Sequence, residues 1–427
     1  MVMIVVIVTF FALLVSGVAV SFTLGLSSLL YLVLTDTNLI VITQRMFAGS
    51  DSFTLMAIPL FIFAGEIMNE CGVTKRIINF SQSLLGFIAG GLANVNIFAS
   101  MIMAGISGST TADVASIGNM LIHSMEKSGY NRAYATAITA ASGTIGSIIP
   151  PSILMILYGS ITGISIGKLF LAGVIPGILT GVAQMIYAVY KAKKNPNLYD
   201  GNSVIFNWKD LRKNFLDAIP ALIMPLIIIG GILSGVFTAT EAGAIASLYG
   251  LIIGIFVYKE FKGNRILSTL LNSAKTTGMS MLIVAAAMTF SWILAKEGFP
   301  REVANMINGV SQEPSIVLLA MILVMMIIGC FMDTTAAAII MVPIFAPIAQ
   351  QIGLDPIHFA MIMVLTFILG GITPPVGITL YVASAVGNVK IKPLLKEMLP
   401  LILISLIILM MVAYIPQITM FLPNLLN

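Results

Sequence analysis

Residues 105–113 read GISGSTTAD, and they interrupt an apolar run that extends from 84 to 125. Glycine and hydroxyl residues at membrane depth leave backbone groups unpaired, which bare hydrocarbon does not tolerate. Such a break lines protein or a water-filled cavity. GCFMDTT at 329–335 interrupts the run 315–350 in the same way. Downstream of each lies a second break, TIGSIIPPS at 144–152 and LGGITPPVG at 369–377. A proline pair removes two amide donors and clashes with the preceding turn. A helix comes apart there and exposes carbonyl oxygens, such as those of Gly146, Ile149, Gly370 and Thr373.

The four breaks are related by an internal repeat, the feature to settle before any fold is assigned. A displacement of 224 residues lays Gly105 on Gly329 and Thr110–Thr111–Ala112 on Thr334–Thr335–Ala336. It also lays Gly146 on Gly370 and Pro150–Pro151 on Pro374–Pro375. Over 105–176 the two copies share 15 of 72 positions with no gap, concentrated in Gly, Thr and Pro. Those residues set backbone geometry, whereas shared Leu or Ile would mean only shared hydrophobicity. A shorter displacement matches Ser16–Gly17–Val18 with Ser234–Gly235–Val236. Paired interruptions of this kind mark a transporter site at a repeat interface.

Composition agrees. The chain has 427 residues, 59% hydrophobic and only 9% charged, with a mean hydropathy of +1.06. Soluble domains carry about 25% charged residues. Apolar runs long enough to cross a bilayer core of about 30 Å recur from end to end. The expected fold is an all-α polytopic membrane protein of two inverted repeats, each with five crossings, one re-entrant hairpin and one broken helix. The first repeat spans 1–190, with hairpin 1 at 84–125 and its broken helix at 133–157. A polar linker, expected to be cytoplasmic, occupies 191–218. The second repeat spans 219–427, with hairpin 2 at 315–350 and its broken helix at 359–386. Loops at 36–52 and 259–275 are expected to be lateral arms, with Arg45 and Lys259 at their polar faces.

The net charge of +4 does not imply a nucleic-acid partner. Loops at 75–76, 126–132, 191–213, 259–275 and 390–396 hold 17 of the 21 Lys and Arg residues. With the linker inside, all five face the cytoplasm, as the positive-inside rule requires. Both termini then lie outside, and the apolar N-terminus, which lacks a basic leader, is expected to be a retained segment. Cys71 and Cys330 lie far apart, so no disulfide framework is expected.

Among the charges, Asp333 stands out. An Asp near a membrane helix centre costs roughly 2.5–3.5 kcal/mol on insertion scales, and such residues face a pathway or an ion. Its repeat mate is Ser109. Asp113, one turn past the first tip, serves either an ion or the helix N-terminus. Glu66 and Glu241 lie near segment ends and read as interfacial or packing residues. The candidate ligands are hydroxyls, carbonyls and a carboxylate. Hard oxygen donors of this kind suit Na⁺ and argue against a transition metal. His123 and His358 do not align in the repeat. A proton acting through Asp333 alone is an alternative coupling ion.

The hairpin tips, the proline-pair breaks and the two-half layout together resemble the large membrane subunit of TRAP (tripartite ATP-independent periplasmic) transporters. They also resemble the wider group of elevator-type ion transporters. The resemblance covers nearly all of the chain. It implies Na⁺-driven secondary active uptake of an organic acid anion, such as sialic acid or a C4-dicarboxylate, across the bacterial inner membrane. It implies two protein partners, a small four-helix membrane subunit and a periplasmic substrate-binding protein, and no organic cofactor. It places one Na⁺ site at Ser107, Ser109, Gly146, Ile149 and Pro151, and another at Asp333, Gly370, Thr373 and Pro375. Substrate is placed between the tips, near Thr110, Thr111, Thr334 and Thr335. Phe331 stands where the first tip has Ser107, so the two sites are not equivalent in detail. In the elevator this implies, hairpins and broken helices move past a scaffold formed by 2–35, 53–69, 219–258 and 277–295.

Two other readings compete. A stand-alone Na⁺- or H⁺-coupled carboxylate symporter of the same architecture would need no partner. Gly105-Ile106-Ser107-Gly108 also matches the G-x-S-G of rhomboid intramembrane serine proteases, with a histidine as base. No G-x-x-x-x-G-K-[ST] occurs, so ATP-driven transport has no support.

Overall fold

The computed structural model describes residues 2–195, 206–261, 263–303 and 313–425. These residues form helices and no strand. Among the described residues, seven helices are long and apolar enough to cross a bilayer, or eight if a bent pair, Ile40–Ser50 with Thr54–Glu70 at 67°, counts as one span.

The 224-residue displacement reappears in the helix boundaries. The first hairpin consists of α6 (Gly91–Ser107) and α7 (Thr110–Lys127). Its broken helix is α8 (Arg132–Gly143) and α9 (Ile153–Thr162), followed by α10 (Ile166–Lys194). The second set is α14 (Pro314–Phe331), α15 (Thr334–Gln351), α16 (Pro356–Gly371), α17 (Ile378–Gly387) and α18 (Ile391–Tyr414). Each helix of the second set begins within one residue of where the displacement puts it. The sets interlock, because α9 packs against α15 and α17 packs against α7. A residue at either tip is therefore held by elements of both halves.

A second group of helices surrounds this interlocked unit: α1 (Val2–Val15), α2 (Val20–Leu34), α3 (Ile40–Ser50), α4 (Ala57–Glu70), α5 (Val73–Leu85), α11 (Trp208–Leu233), α12 (Ala239–Ile252) and α13 (Gly263–Lys296). Here α12 packs on α4, and α13 packs on α2, α3 and α4. Small residues along α12 set the α4 contact. A Cβ added at Gly243 would stand 2.9 Å from Leu60, and the Ser247 hydroxyl donates to the Leu60 carbonyl at 2.9 Å. Without a hydrophobic driving force between helices in lipid, close backbone approach and hydrogen bonds of this sort carry the packing.

Several expected loops are helical. The stretch 75–76 lies in α5, whose buried Val73, Ile77 and Ile78 share one face while Lys75 is exposed. Thirteen residues with a charged face give no spanning signal, yet that pattern suits a helix lying along an apolar surface. The arms expected at 36–52 and 259–275 contain α3 and the start of α13. The 191–218 stretch is helical at both ends. There α10 runs to Lys194, while α11 begins at Trp208, where the Asn207 side chain accepts from the Lys209 amide at 3.0 Å. The residues at 196–205 lie outside those described. The basic 390–396 stretch opens α18. The last apolar run divides at Ile415–Pro416 into α18 and α19 (Gln417–Leu425), because a proline cannot continue the ladder.

Candidate functional site

The two hairpin tips converge on one cavity of about 370 Å³. Each tip is shorter than the polar stretches suggested. Gly108 takes the left-handed region at φ 62°, Ser109 is extended, and α7 begins at Thr110. Only glycine adopts that φ without strain, which is why the chain reverses there. At the second tip Met332 is extended and Asp333 caps α15, its Oδ1 accepting from the Thr335 amide at 2.9 Å. The remaining glycine and hydroxyl residues of both stretches stay helical. Two residues outside the helix suffice for the reversal.

Thr110, Thr111, Thr334 and Thr335, the expected substrate contacts, all line the cavity, as do Ser107, Ser109 and Asp333. Both α7 and α15 begin here, so two helix N-termini border the same space, with the Thr110 amide donating to Ser147 and the Thr335 amide to Asp333. That arrangement favours an anion. The opposite wall comes from α4, through Gly65, Glu66 and Asn69, and from α13, through Thr276 and Ser280.

The breaks lie behind the tips. In the first half the Ser147 hydroxyl is 2.9 Å from Thr110 Oγ1 and accepts from the Thr110 amide at 3.1 Å. The Ser152 hydroxyl donates to the Ser147 carbonyl at 2.7 Å, and the Ile153 amide donates to Gly108. A Cβ added at Gly108 would stand 2.6 Å from the Pro151 carbonyl. Tip and break therefore touch at Gly108–Pro151, and Ser107, Gly146 and Pro151 are buried while Ser109 and Ile149 are half-buried.

In the second half Gly329 and Gly370 meet backbone to backbone. A Cβ added at Gly370 would stand 2.7 Å from the Gly329 carbonyl carbon. The Gly377 amide donates to Cys330 at 2.8 Å and closes the tip against the break. The Gly370 carbonyl already accepts from the Thr373 amide at 2.9 Å, and the Thr373 hydroxyl donates to Leu369 at 2.6 Å. Pro374 and Pro375 are exposed, unlike their buried counterparts Pro150 and Pro151. The Pro150–Pro151 and Pro374–Pro375 peptide bonds are both cis.

Two carboxylates occupy positions that spacing alone did not rank. Asp113 is fully buried, its oxygens meet no close hydrogen-bond partner among the described residues, and the Ser107 side chain is the hydroxyl near enough to act on it. It faces the first break, since a Cβ added at Gly146 would collide with Asp113 Oδ2 and come within 3.2 Å of the Ser109 carbonyl. A buried charge is ordinarily paired or bound to a cation. The sequence left Asp113 between an ion and a helix terminus, and the only signal favouring the ion was its place one turn inside a tip. Glu66, read as interfacial or packing, lines the cavity instead. Glu241 is a capping residue: its carboxylate accepts from the Thr238 amide at 2.8 Å, and the Thr238 hydroxyl accepts from the Glu241 amide. Neither histidine approaches Ser107. His123 is exposed beside Glu126, and His358 is buried in the first turn of α16 against Thr419 and the Ala413 carbonyl.

Residues 7–418 match the family model for the tripartite ATP-independent periplasmic transporter, DctM component. The chain is 39% identical over 415 residues to the sialic acid TRAP transporter large permease protein SiaM of Vibrio cholerae, covering 97% of this chain and 96% of that one. It is also 39% identical over 404 residues to the C4-dicarboxylate TRAP transporter large permease protein DctM of Pseudomonas aeruginosa, covering 94% and 93%. Among solved structures, the YdaH transporter of Alcanivorax borkumensis shares the fold, with a TM-score of 0.58 at 14% identity, covering 87% of this chain and 86% of that one.

Proposed function

The chain belongs to the family of DctM components of tripartite ATP-independent periplasmic transporters, and from that premise we propose that it takes up an organic acid anion by Na⁺ symport. Its relatives are permease subunits, not enzymes. The observation that supports the Na⁺ reading best is Asp113, a fully buried carboxylate with no close hydrogen-bond partner among the described residues, which stands against Gly146 of the first break and near the Ser109 carbonyl. A cation there satisfies the carboxylate together with Ser107, Ser109 and the carbonyls of Gly146, Ile149 and Pro151. A second Na⁺ is assigned to Asp333, Gly370, Thr373 and Pro375. With both cations in place, the organic acid sits between the tips against Thr110, Thr111, Thr334 and Thr335, facing two helix N-termini. Sialic acid and C4-dicarboxylates, carried by the relatives, are the first candidates.

The two helix sets are read as inverted repeats, and the interlocked hairpins and broken helices as a block that moves past the surrounding scaffold. Each net positive charge moved inward gains about 2.3 kcal/mol per 100 mV of membrane potential. The setting is the bacterial inner membrane, with a small membrane subunit and a periplasmic binding protein as partners. The purified protein tests the ion reading through its thermal stability in NaCl, KCl and choline chloride, beside Asp113→Asn and Asp333→Asn. A ligand that binds only the folded state stabilises it by about 2.7 kcal/mol at a hundredfold excess over Kd. We expect a Na⁺-specific rise that shrinks in both variants. Equal stability of the wild type in all three salts would remove Na⁺ binding from the isolated subunit.

A further inference from the structure

The cavity proposed to hold an anion contains no Lys, Arg or His among its described lining residues, yet it contains two carboxylates, Asp333 and Glu66. Asp333 belongs to a proposed ion site. Glu66 belongs to neither. It lies on α4, in the cavity wall that Gly65 and Asn69 share, and among the described residues it has no hydrogen bond or ion pair, the charge acting on it being Glu70, one turn further along. Its neighbour Gly65 brings α4 against the first tip, since a Cβ added there would stand 3.4 Å from Ser107 Cα. Glu66 therefore lies beside the contact between the surrounding helices and a hairpin tip.

A carboxylate with no counter-charge repels a bare organic acid that enters the same cavity. It does not repel an acid whose charge is already offset by Na⁺ at the tips. We propose that Glu66 is a specificity-determining residue for coupling: it excludes the anion that arrives without Na⁺ and so suppresses a leak uncoupled from the ion gradient. Asn69, one turn further along α4 on the same wall, marks the neutral part of that surface, its side-chain oxygen accepting from Thr74 at 3.1 Å. This inference rests on the Na⁺-symport reading.

The test is uptake into proteoliposomes that hold the complete transporter, with whichever of sialic acid or succinate the wild type accumulates. Rates are compared at saturating NaCl and in choline chloride. Glu66→Gln keeps the shape and removes the charge. It is expected to raise the ratio of the Na⁺-free rate to the rate in NaCl at least tenfold. Glu66→Asp is expected to keep the Na⁺ requirement. Asn69→Asp, which adds a second carboxylate to the wall, is expected to raise the Na⁺ concentration needed for half-maximal uptake. An unchanged ratio in Glu66→Gln, with Asn69→Asp also unchanged, overturns the role of Glu66. Uptake by the wild type that ignores Na⁺ overturns the symport reading itself.

Discussion

The two hairpin tips descend from one repeated pattern, but they are held in different ways. The first is stitched by hydrogen bonds. Asn96 donates to Thr139 at 2.8 Å, the Ser142 hydroxyl donates to Asn96 at 3.0 Å, and Ser100 donates to Ser142 at 2.9 Å, all inside the hairpin's contact with α8. The repeat positions in the second half are Ala320, Val324, Met363 and Thr366. Only the last is polar, and its hydroxyl donates back along its own helix to Ile362. Apolar packing and the Gly329–Gly370 backbone contact replace the ladder. The carboxylates differ too. Asp113 lies one turn inside α7, fully buried, and its repeat mate is Ala337. Asp333 caps α15 at the cavity edge, half-buried, and its repeat mate is Ser109. One pattern therefore supports two unlike carboxylate environments, a closed one and an open one.

The largest effect expected from this contrast is at Asp113. Asp113→Asn should abolish most of the Na⁺-specific stabilisation, up to about 2.7 kcal/mol at a hundredfold excess over Kd. Asp333→Asn should cost less, since Asn caps a helix about as well as Asp. Equal losses in the two variants would erase the closed-versus-open distinction.

Next comes Gly370→Ala. It must push α14 and α16 apart at their backbone contact and should destabilise the protein by about 1–3 kcal/mol in every salt. Gly65→Ala serves as its control, because the added methyl meets ordinary contact distances. A smaller effect tests the ladder. Ser142→Ala leaves Asn96 and Ser100 short of a partner and should cost about 1 kcal/mol. Thr366→Ala at the repeat position should cost less than half as much, since its hydroxyl bonds only within its helix. Denaturation midpoints of the purified proteins decide both. Thr366→Ala matching Ser142→Ala would mean that hydrogen bonding does not distinguish the halves.

The repeat, the tips and the proline breaks were legible in the sequence because Gly, Pro and Thr have fixed backbone consequences wherever they stand. The boundary agreement of α7 with α15, and of α8 with α16, follows from those residues. The amphipathic α5 was not legible as an element, because its outer face is polar, with Lys75 and Arg76 near its start, and its apolar side makes sense only once α6 and α11 cover it. Glu66 was placed wrongly for a related reason. A carboxylate near a segment end looks interfacial until the tip of a hairpin from another part of the chain closes against Gly65.

The sequence by itself determined that this chain lives in a bilayer, that its halves repeat, and where its helices must break, since hydropathy and backbone chemistry are local properties. Only the tertiary structure decided which polar groups share a space. Whether Asp113 faces solvent, a backbone amide or the first helix break depends on where Gly146 stands, 33 residues away in sequence. Burial and pairing are relations between segments, and no spacing rule along one segment contains them.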